Sequence, residues 1–133
     1  MNSANTEKLV KSFPNLYPQT HPLYQENEQV PFHFECGDGW FALLWDLSLK
    51  IEVEIVPMKA AQDSNDDNVP FAIQVKEKFG TLRFYMSSET EAMSKAILEA
   101  ERRSAVTCEV CGEPGKPRDG GWVSTLCDLH ARK

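Results

Sequence analysis

Four residues near the C-terminal end place the strongest constraint on how this 133-residue chain can fold. Cys108 and Cys111 are separated by two residues, as are Cys127 and His130, and fifteen residues lie between the two pairs. Three thiolates and one imidazole at such spacing are typical of a tetrahedral zinc site. The pattern therefore predicts one structural zinc ion held by Cys108, Cys111, Cys127 and His130. Two alternatives stay open: free or disulfide-bonded thiols, and a catalytic zinc that lacks one protein ligand.

The residues between the ligand pairs predict the local fold of the zinc module, residues 106–133. Gly112 follows the first pair and permits a tight knuckle, and residues 122–126 form the return strand of a hairpin. Cys127 and His130 then lie on one face at the start of a short final helix. Knuckle, hairpin and helix together resemble the treble-clef class of zinc folds. That resemblance implies a fold and no particular function.

Residues 37–105 are expected to form an α+β body. Asp38 is suited to cap a helix over residues 39–53, where apolar side chains recur at helical spacing. Residues 49–56 also alternate with the period of a strand, so a strand is the alternative for that stretch. Residues 57–70 are mostly polar, and we expect a solvated loop there rather than a calcium site.

The second half of the body predicts a hairpin followed by a helix. Residues 71–86 alternate apolar and polar side chains on both sides of a connection at Glu77–Gly80, where Gly80 supplies a positive φ. Ser88–Glu91 has the pattern of a capping box, and a helix follows to about Ser104.

Residues 1–36 are predicted to be an N-terminal arm rich in proline. Residues 5–13 have the apolar spacing of a short helix that stops at Pro14, and residues 14–36 show no sustained period. The aromatic residues of the arm favour packing against the body, and a mobile tail is the alternative.

Charge and composition limit the classes of partner. The net charge is −6; residues 1–101 carry 8 basic against 16 acidic residues, whereas residues 102–133 carry 6 against 4. An acidic body disfavours non-specific binding of nucleic acid, so only the C-terminal part is suited to contact phosphate. Neither an apolar run of about 18 residues nor an apolar N-terminal signal region occurs, which predicts a cytoplasmic protein.

The hairpin carries a second group of residues that could do chemistry. A cationic and phenolic face would suit a phosphate or a carboxylate, although a charged, solvated strand face is the preferred interpretation. The residues concerned are Lys76, Glu77, Lys78, Arg83 and Tyr85.

Two smaller groups are interpreted as structural. Trp40, Phe41 and Trp45 lie at helical spacing in an apolar stretch, which favours core packing over a platform for stacking bases. Cys36 is left outside the zinc pattern, and we expect a buried residue. Its alternative role as a nucleophile needs a base, and His33 is the nearest one in the sequence.

Four segments together resemble a family of small uncharacterised proteins encoded by bacteria and by tailed phages or prophages. They are ECGDGWFALLWDLS at 35–48, VKEKFGTLRFY at 75–85, AERRSAVTCEVCGEPG at 100–115 and GWVSTLCDLHA at 121–131. The resemblance covers most of residues 34–131. It implies a cytoplasmic protein with a C-terminal zinc site, and it brings no function with it.

These features predict a single small α+β domain over residues 1–133, with a long helix, a β-hairpin, a second helix and a Cys3His zinc module. We expect a non-enzymatic binding protein, a phage or prophage accessory factor that binds a host protein. One alternative is nucleic-acid binding through the zinc module, and a less favoured one is a small hydrolase or transferase using the Lys76–Tyr85 face. The cations suited to nucleic acid are Arg102, Arg103, Lys116, Arg118, Arg132 and Lys133.

Overall fold

The computed structural model describes residues 1–19, 32–61 and 69–131. The hairpin β1–β2 and the shorter hairpin β3–β4 are both antiparallel, and three helices accompany them among these residues. The architecture is therefore α+β, with a Cys3His cluster near the C-terminal end, as the sequence predicted. In chain order the elements are α1 (Ser3–Ser12), α2 (Phe41–Ala61), β1 (Ala72–Lys78), β2 (Thr81–Met86), α3 (Glu91–Ser104), β3 (Lys116–Arg118) and β4 (Ser124–Leu126), and a 3₁₀ turn at Asp38–Trp40 leads into α2.

Helix α2 is longer than predicted. Residues 49–56 are helical, so the strand alternative is wrong, and residues 57–61 form the last turn instead of a loop. Pro57 removes one backbone donor, but Met58 in this turn packs against the core. Residues 62–68 of the predicted loop lie outside the described residues. In the part of the chain that the structure describes, no helix is long and apolar enough to cross a bilayer.

The predicted hairpin is confirmed, with a tighter turn than expected. Glu77 and Lys78 belong to β1, so only Phe79 and Gly80 connect the strands. Both turn residues have positive φ, 55° and 84°, which is the backbone that suits the right-handed twist of a two-residue hairpin. The phenylalanine is therefore held in a conformation that is uncommon for a residue with a side chain.

A segment of the predicted N-terminal arm pairs with the hairpin through an isolated parallel bridge between Glu35 and Lys76. Glu35 donates its backbone N–H to the Val75 carbonyl at 2.9 Å, and the Glu77 N–H donates to the Glu35 carbonyl at 2.9 Å. The segment runs parallel to β1. Phe34 beside it is buried, so this part of the arm belongs to the body.

The N-terminal residues 1–19 are packed on α2. Helix α1 begins at Ser3, two residues before the predicted start, because the Asn2 side chain accepts a hydrogen bond from the Asn5 N–H at 2.7 Å and caps it. Leu9 and Leu16 are fully buried in the core. For residues 1–19 the packed alternative is confirmed, and residues 20–31, which include the sequence's His21, lie outside the described residues.

A buried carboxylate fixes this N-terminal segment to α2. Glu52 accepts hydrogen bonds from the backbone N–H of Leu16 at 2.8 Å and from the backbone and side-chain N–H groups of Asn15 at 3.2 and 3.0 Å. One turn earlier on α2, Ser48 and the Tyr17 hydroxyl are 2.7 Å apart. Polar side chains of α2 thus satisfy the irregular backbone that packs against it.

Helix α3 begins two residues later than a capping box at Ser88 would place it. Its N-cap is Thr90, whose hydroxyl accepts a hydrogen bond from the Met93 N–H at 3.2 Å. The helix ends at Ser104, as predicted, where the buried hydroxyl accepts a hydrogen bond from the Leu82 N–H at 2.9 Å. This contact ties the end of α3, and so the start of the zinc module, to strand β2.

Candidate metal centre

The four predicted ligands meet at one point. Their Sγ and Nδ1 atoms all lie within 4.8 Å of one another. The Cys111 and Cys127 sulfurs are 3.7 Å apart, and His130 Nδ1 lies 3.7 Å from the Cys108 sulfur and 3.2 Å from that of Cys127. A tetrahedron with metal–sulfur bonds of about 2.3 Å has edges of about 3.8 Å. The four donor atoms are therefore spaced to hold a single metal ion.

Backbone N–H groups surround the sulfur of Cys108, whose side chain is fully buried. Burial raises the pKa of this thiol, but hydrogen bonds from the backbone N–H groups of Cys127, Cys111 and Val110 outweigh burial and lower the pKa from 9.0 to about 6. A thiol that is largely ionised at neutral pH is prepared to bind a metal ion.

Cys111 lies at the exposed edge of the cluster. A hydrogen bond from the Glu113 N–H lowers its pKa, but the neighbouring Cys108 and Cys127 thiols and residual burial raise the pKa above its ordinary value. Thiolates this close repel each other, and a bound divalent cation would remove that repulsion. The cluster is therefore better suited to a metal-bound state than to three free thiolates.

The knuckle and the hairpin predicted around the ligands are both present. Gly112 has a φ of 83°, and strands β3 and β4 form the hairpin between the ligand pairs, with the return strand limited to Ser124–Leu126 instead of residues 122–126. The predicted final helix is wrong as far as Ala131: the chain makes one turn, closed by the Ala131 N–H donating to the Cys127 carbonyl at 3.0 Å. A single turn is sufficient because Cys127 and His130 need only face the same point.

Two glycines of the body let the zinc module approach its backbone directly. A Cβ atom on Gly39 would lie 2.2 Å from the Cys108 carbonyl oxygen, and one on Gly37 would lie 2.2 Å from the Glu109 carbonyl oxygen. Instead, the Gly39 N–H donates to the Glu109 carbonyl at 2.8 Å, and the Gly37 N–H donates to the Glu109 carboxylate at 2.9 Å. Burial raises the pKa of that carboxyl group, although the Gly37 hydrogen bond partly counters it.

A second contact joins the module to the β1–β2 turn. The Thr125 hydroxyl donates to the Gly80 carbonyl at 2.5 Å, and the Glu109 N–H donates to the Thr125 carbonyl at 3.0 Å. Trp40 adds a third link, because its indole N–H donates to the Thr107 carbonyl at 2.9 Å. The module is therefore bound to the body at several places, which sequence reasoning missed. The pair of glycines on either side of Asp38 was the only local signal.

The charged group on the hairpin does not all share one face. Lys76 pairs with Arg83 across the strands, and Tyr85 lies opposite Gln74 on the same face. Glu77 belongs to the other face, and its carboxylate accepts a hydrogen bond from the Gly80 N–H at 2.7 Å. This acid therefore has a structural contact in the turn, which leaves cations and a phenol on the outer face.

Two of the cations considered for nucleic acid are paired with carboxylates. Arg103 contacts Asp46 at 2.6 Å, and Arg118 contacts Asp128 at 2.8 Å. Arg132 and Lys133, which end the chain in the sequence, lie outside the described residues. The described part of residues 102–133 thus presents fewer unpaired cations than its composition suggested.

The residues interpreted as structural are packed as expected. Cys36 is buried, and burial raises the pKa of its thiol to about 12, so it is a poor nucleophile at neutral pH. Trp40 is fully buried, and Phe41 and Trp45 pack against the core from its edge. The Trp45 ring meets the Phe13 ring edge-on with a centroid distance of 4.8 Å.

Comparison of the chain with protein-family models, with curated proteins and with solved structures found no match.

Proposed function

We propose that this chain is a zinc-stabilised, non-enzymatic binding protein that attaches to a partner protein through its zinc module. The observation that carries the proposal is a set of large apolar side chains that point outward from this small, firmly attached module. Trp122 is 78% exposed and Leu129 is 73% exposed, and Val110 in the knuckle is also exposed. Phe79, in the turn that contacts the module, is 71% exposed.

Zinc is the metal best suited to the cluster. Three thiolates and an imidazole favour zinc over the hard cations magnesium and calcium, which take oxygen ligands. Four protein ligands leave no open position, so the ion acts as a structural element rather than as a Lewis acid. Metal analysis of the purified chain is expected to find one zinc per chain, and none in the Cys127→Ser variant. Cys36→Ala is the control, because Cys36 lies outside the cluster.

Exposed aromatic residues on a rigid support are favourable anchors for binding. Tryptophan is enriched among the residues that dominate binding free energy, because it buries a large area at a low cost in conformational entropy. The module's attachment to the body supplies the rigid support, since Gly39 and Thr125 fix it at two separate places. The hairpin loop that carries Trp122 is open, and a Cβ atom on Gly120 or Gly121 would meet nothing within 4 Å.

The charge of the chain and its resemblance to small phage and bacterial proteins indicate the kind of partner. A chain with a net charge of −6 is suited to a partner protein with a basic surface. Three thiolates and one Zn²⁺ add a further negative charge at the module itself, which disfavours phosphate as the ligand. The partner we propose is a host protein with a basic surface and an apolar pocket for Trp122.

Affinity capture from bacterial lysate with the zinc-loaded chain tests this proposal. The wild-type chain is expected to retain a specific protein, and Trp122→Ala is expected to weaken its retention at least about tenfold. Leu98→Ala is the control, because Leu98 is a half-exposed apolar residue that belongs to α3 and not to the module. Equal retention by all three chains would exclude the module as the binding surface. A salt-sensitive shift of DNA or RNA would instead favour the nucleic-acid alternative.

A further inference from the structure

Helix α2 carries apolar side chains on its outer face as well as on its buried face. Leu49, Val53 and Val56 follow one another at intervals of four and three residues, so they form one stripe along the helix. All three are about half exposed or more, and Val53 is 63% exposed. A helix that is apolar on both faces is ordinarily covered on both faces.

A shallow groove runs beside this stripe. It lies between α2 and α3 and has a volume of about 410 Å³. Ile51 and Met93 are buried at its base, and the small side chains of Ala92 and Ala96 form the α3 wall. The stripe is thus a ridge next to a groove of matching, apolar character.

We propose that a second copy of this chain covers the stripe, with the two α2 helices antiparallel about a two-fold axis level with residues 52–53. A helix rises 1.5 Å per residue, so in this register Leu49 lies level with Val56 of the second copy, and the two Val53 side chains meet near the axis. The ridge of each copy then lies beside the groove of the other. The same surface serves both copies, as an isologous dimer requires.

The charges beside the stripe fit the same register. Lys50 and Glu54 both lie on the α3 side of α2, where both also border the groove. Antiparallel pairing about this axis places Lys50 of each copy opposite Glu54 of the other, so opposite charges meet twice. Lys50 already lies 3.5 Å from Glu99 of its own chain, so it sits at the edge of the groove. This self-complementarity favours a second copy as the occupant of the stripe. A strongly basic partner would instead be attracted to the acidic surface of the rest of the chain.

Sedimentation of the zinc-loaded full chain from about 1 μM to about 1 mM tests the dimer. We expect a mass rising towards twice the 15.1 kDa of one chain as concentration increases. Val53→Arg is expected to weaken dimerisation at least about tenfold, because it places two like charges together at the axis. Leu98→Arg is the control, since it puts the same charge on an equally apolar site of α3 outside the stripe.

A charge exchange makes the test independent of packing. Glu54→Lys is expected to weaken the dimer, because it puts a lysine opposite Lys50 of the second copy, and adding Lys50→Glu is expected to restore part of the loss. A mass of one chain at every concentration would overturn the proposal, and so would a dimer that Leu98→Arg weakens as much as Val53→Arg. The dimer surface excludes Trp122, so failure here leaves the proposed binding through the zinc module untouched.

Discussion

At the scale of single residues, Gly39 shows how closely the body and the zinc module meet. Its N–H donates a hydrogen bond to the Glu109 carbonyl oxygen. A side chain at this position would collide with the Cys108 carbonyl oxygen. Cys108 is one of the four residues of the Cys3His cluster, so the fit at Gly39 controls the position of one corner of that cluster. Gly39 therefore contributes to the geometry of the Cys3His cluster through the absence of a side chain, although it supplies no donor atom to it.

We expect Gly39→Ala to destabilise the chain by about 2–4 kcal/mol, because its Cβ would lie 2.2 Å from a backbone oxygen that cannot move without displacing Cys108. Thermal unfolding followed by circular dichroism measures the loss. Gly121→Ala is the comparison: its Cβ meets nothing within 4 Å, and only the positive φ of 90° costs about 1–2 kcal/mol. A smaller loss for Gly39→Ala than for Gly121→Ala would contradict this account.

The cysteines show that one residue type takes two chemical states in this fold. Cys36 and Cys108 are both buried, yet burial dominates the pKa of the former and backbone N–H donors dominate that of the latter. Spacing alone separated Cys108, which belongs to the Cys3His cluster, from Cys36, which does not. The physical cause of the separation, the number of N–H groups aimed at each sulfur, depends on the folded backbone.

At the scale of elements, α2 organises the packing of the rest. The N-terminal segment packs on its buried face and donates hydrogen bonds to Glu52. The helix follows Gly37 and Gly39, the two glycines that contact the zinc module. The helix continues through Pro57, and Met58 in its last turn packs against the core. Local sequence signals favoured an earlier end, and tertiary packing overrode them.

Glu52→Gln is expected to cost about 1–3 kcal/mol of folding free energy, because an amide N–H would face donors that now meet a carboxylate oxygen. Urea unfolding measures the change, with denaturation monitored by tryptophan fluorescence. Glu101→Gln on α3 serves as the control, since among the described residues its side chain has no hydrogen bond or ion pair. If both variants unfold at the same urea concentration as the wild type, Glu52 does not anchor the N-terminal segment.

At the scale of the whole molecule, the module that carries the Cys3His cluster joins parts of the chain that are far apart in sequence. The module meets the turn before α2 through Glu109 and the β1–β2 turn through Thr125. Metal binding is therefore expected to stabilise the contacts around α2 as well as the module itself.

Acidification is expected to release the metal and to loosen the module. A pKa lowered to about 6 from 9.0 means that the Cys108 thiolate contributes stability in full above pH 9.0, and that this contribution declines as the pH falls through about 6. Bound metal opposes protonation, so release is expected below about pH 6. During an acid titration, a chromogenic zinc indicator measures the released metal, and circular dichroism measures the loss of folded structure. Full retention of metal at about pH 4 would be inconsistent with thiolate ligands.

The sequence by itself determined the four residues of the Cys3His cluster, the hairpin, the existence of the two main helices and the α+β class. Each of these follows from a local pattern: ligand spacing, strand alternation around Gly80, or helical spacing of apolar residues. The tertiary structure alone decided the length of α2 and the packing of residues 1–19. It also placed the zinc module against Gly37 and Gly39 and left apolar residues such as Trp122 and Val53 exposed. These outcomes depend on contacts between residues that are distant in the sequence. A local pattern does not predict which surfaces such contacts cover.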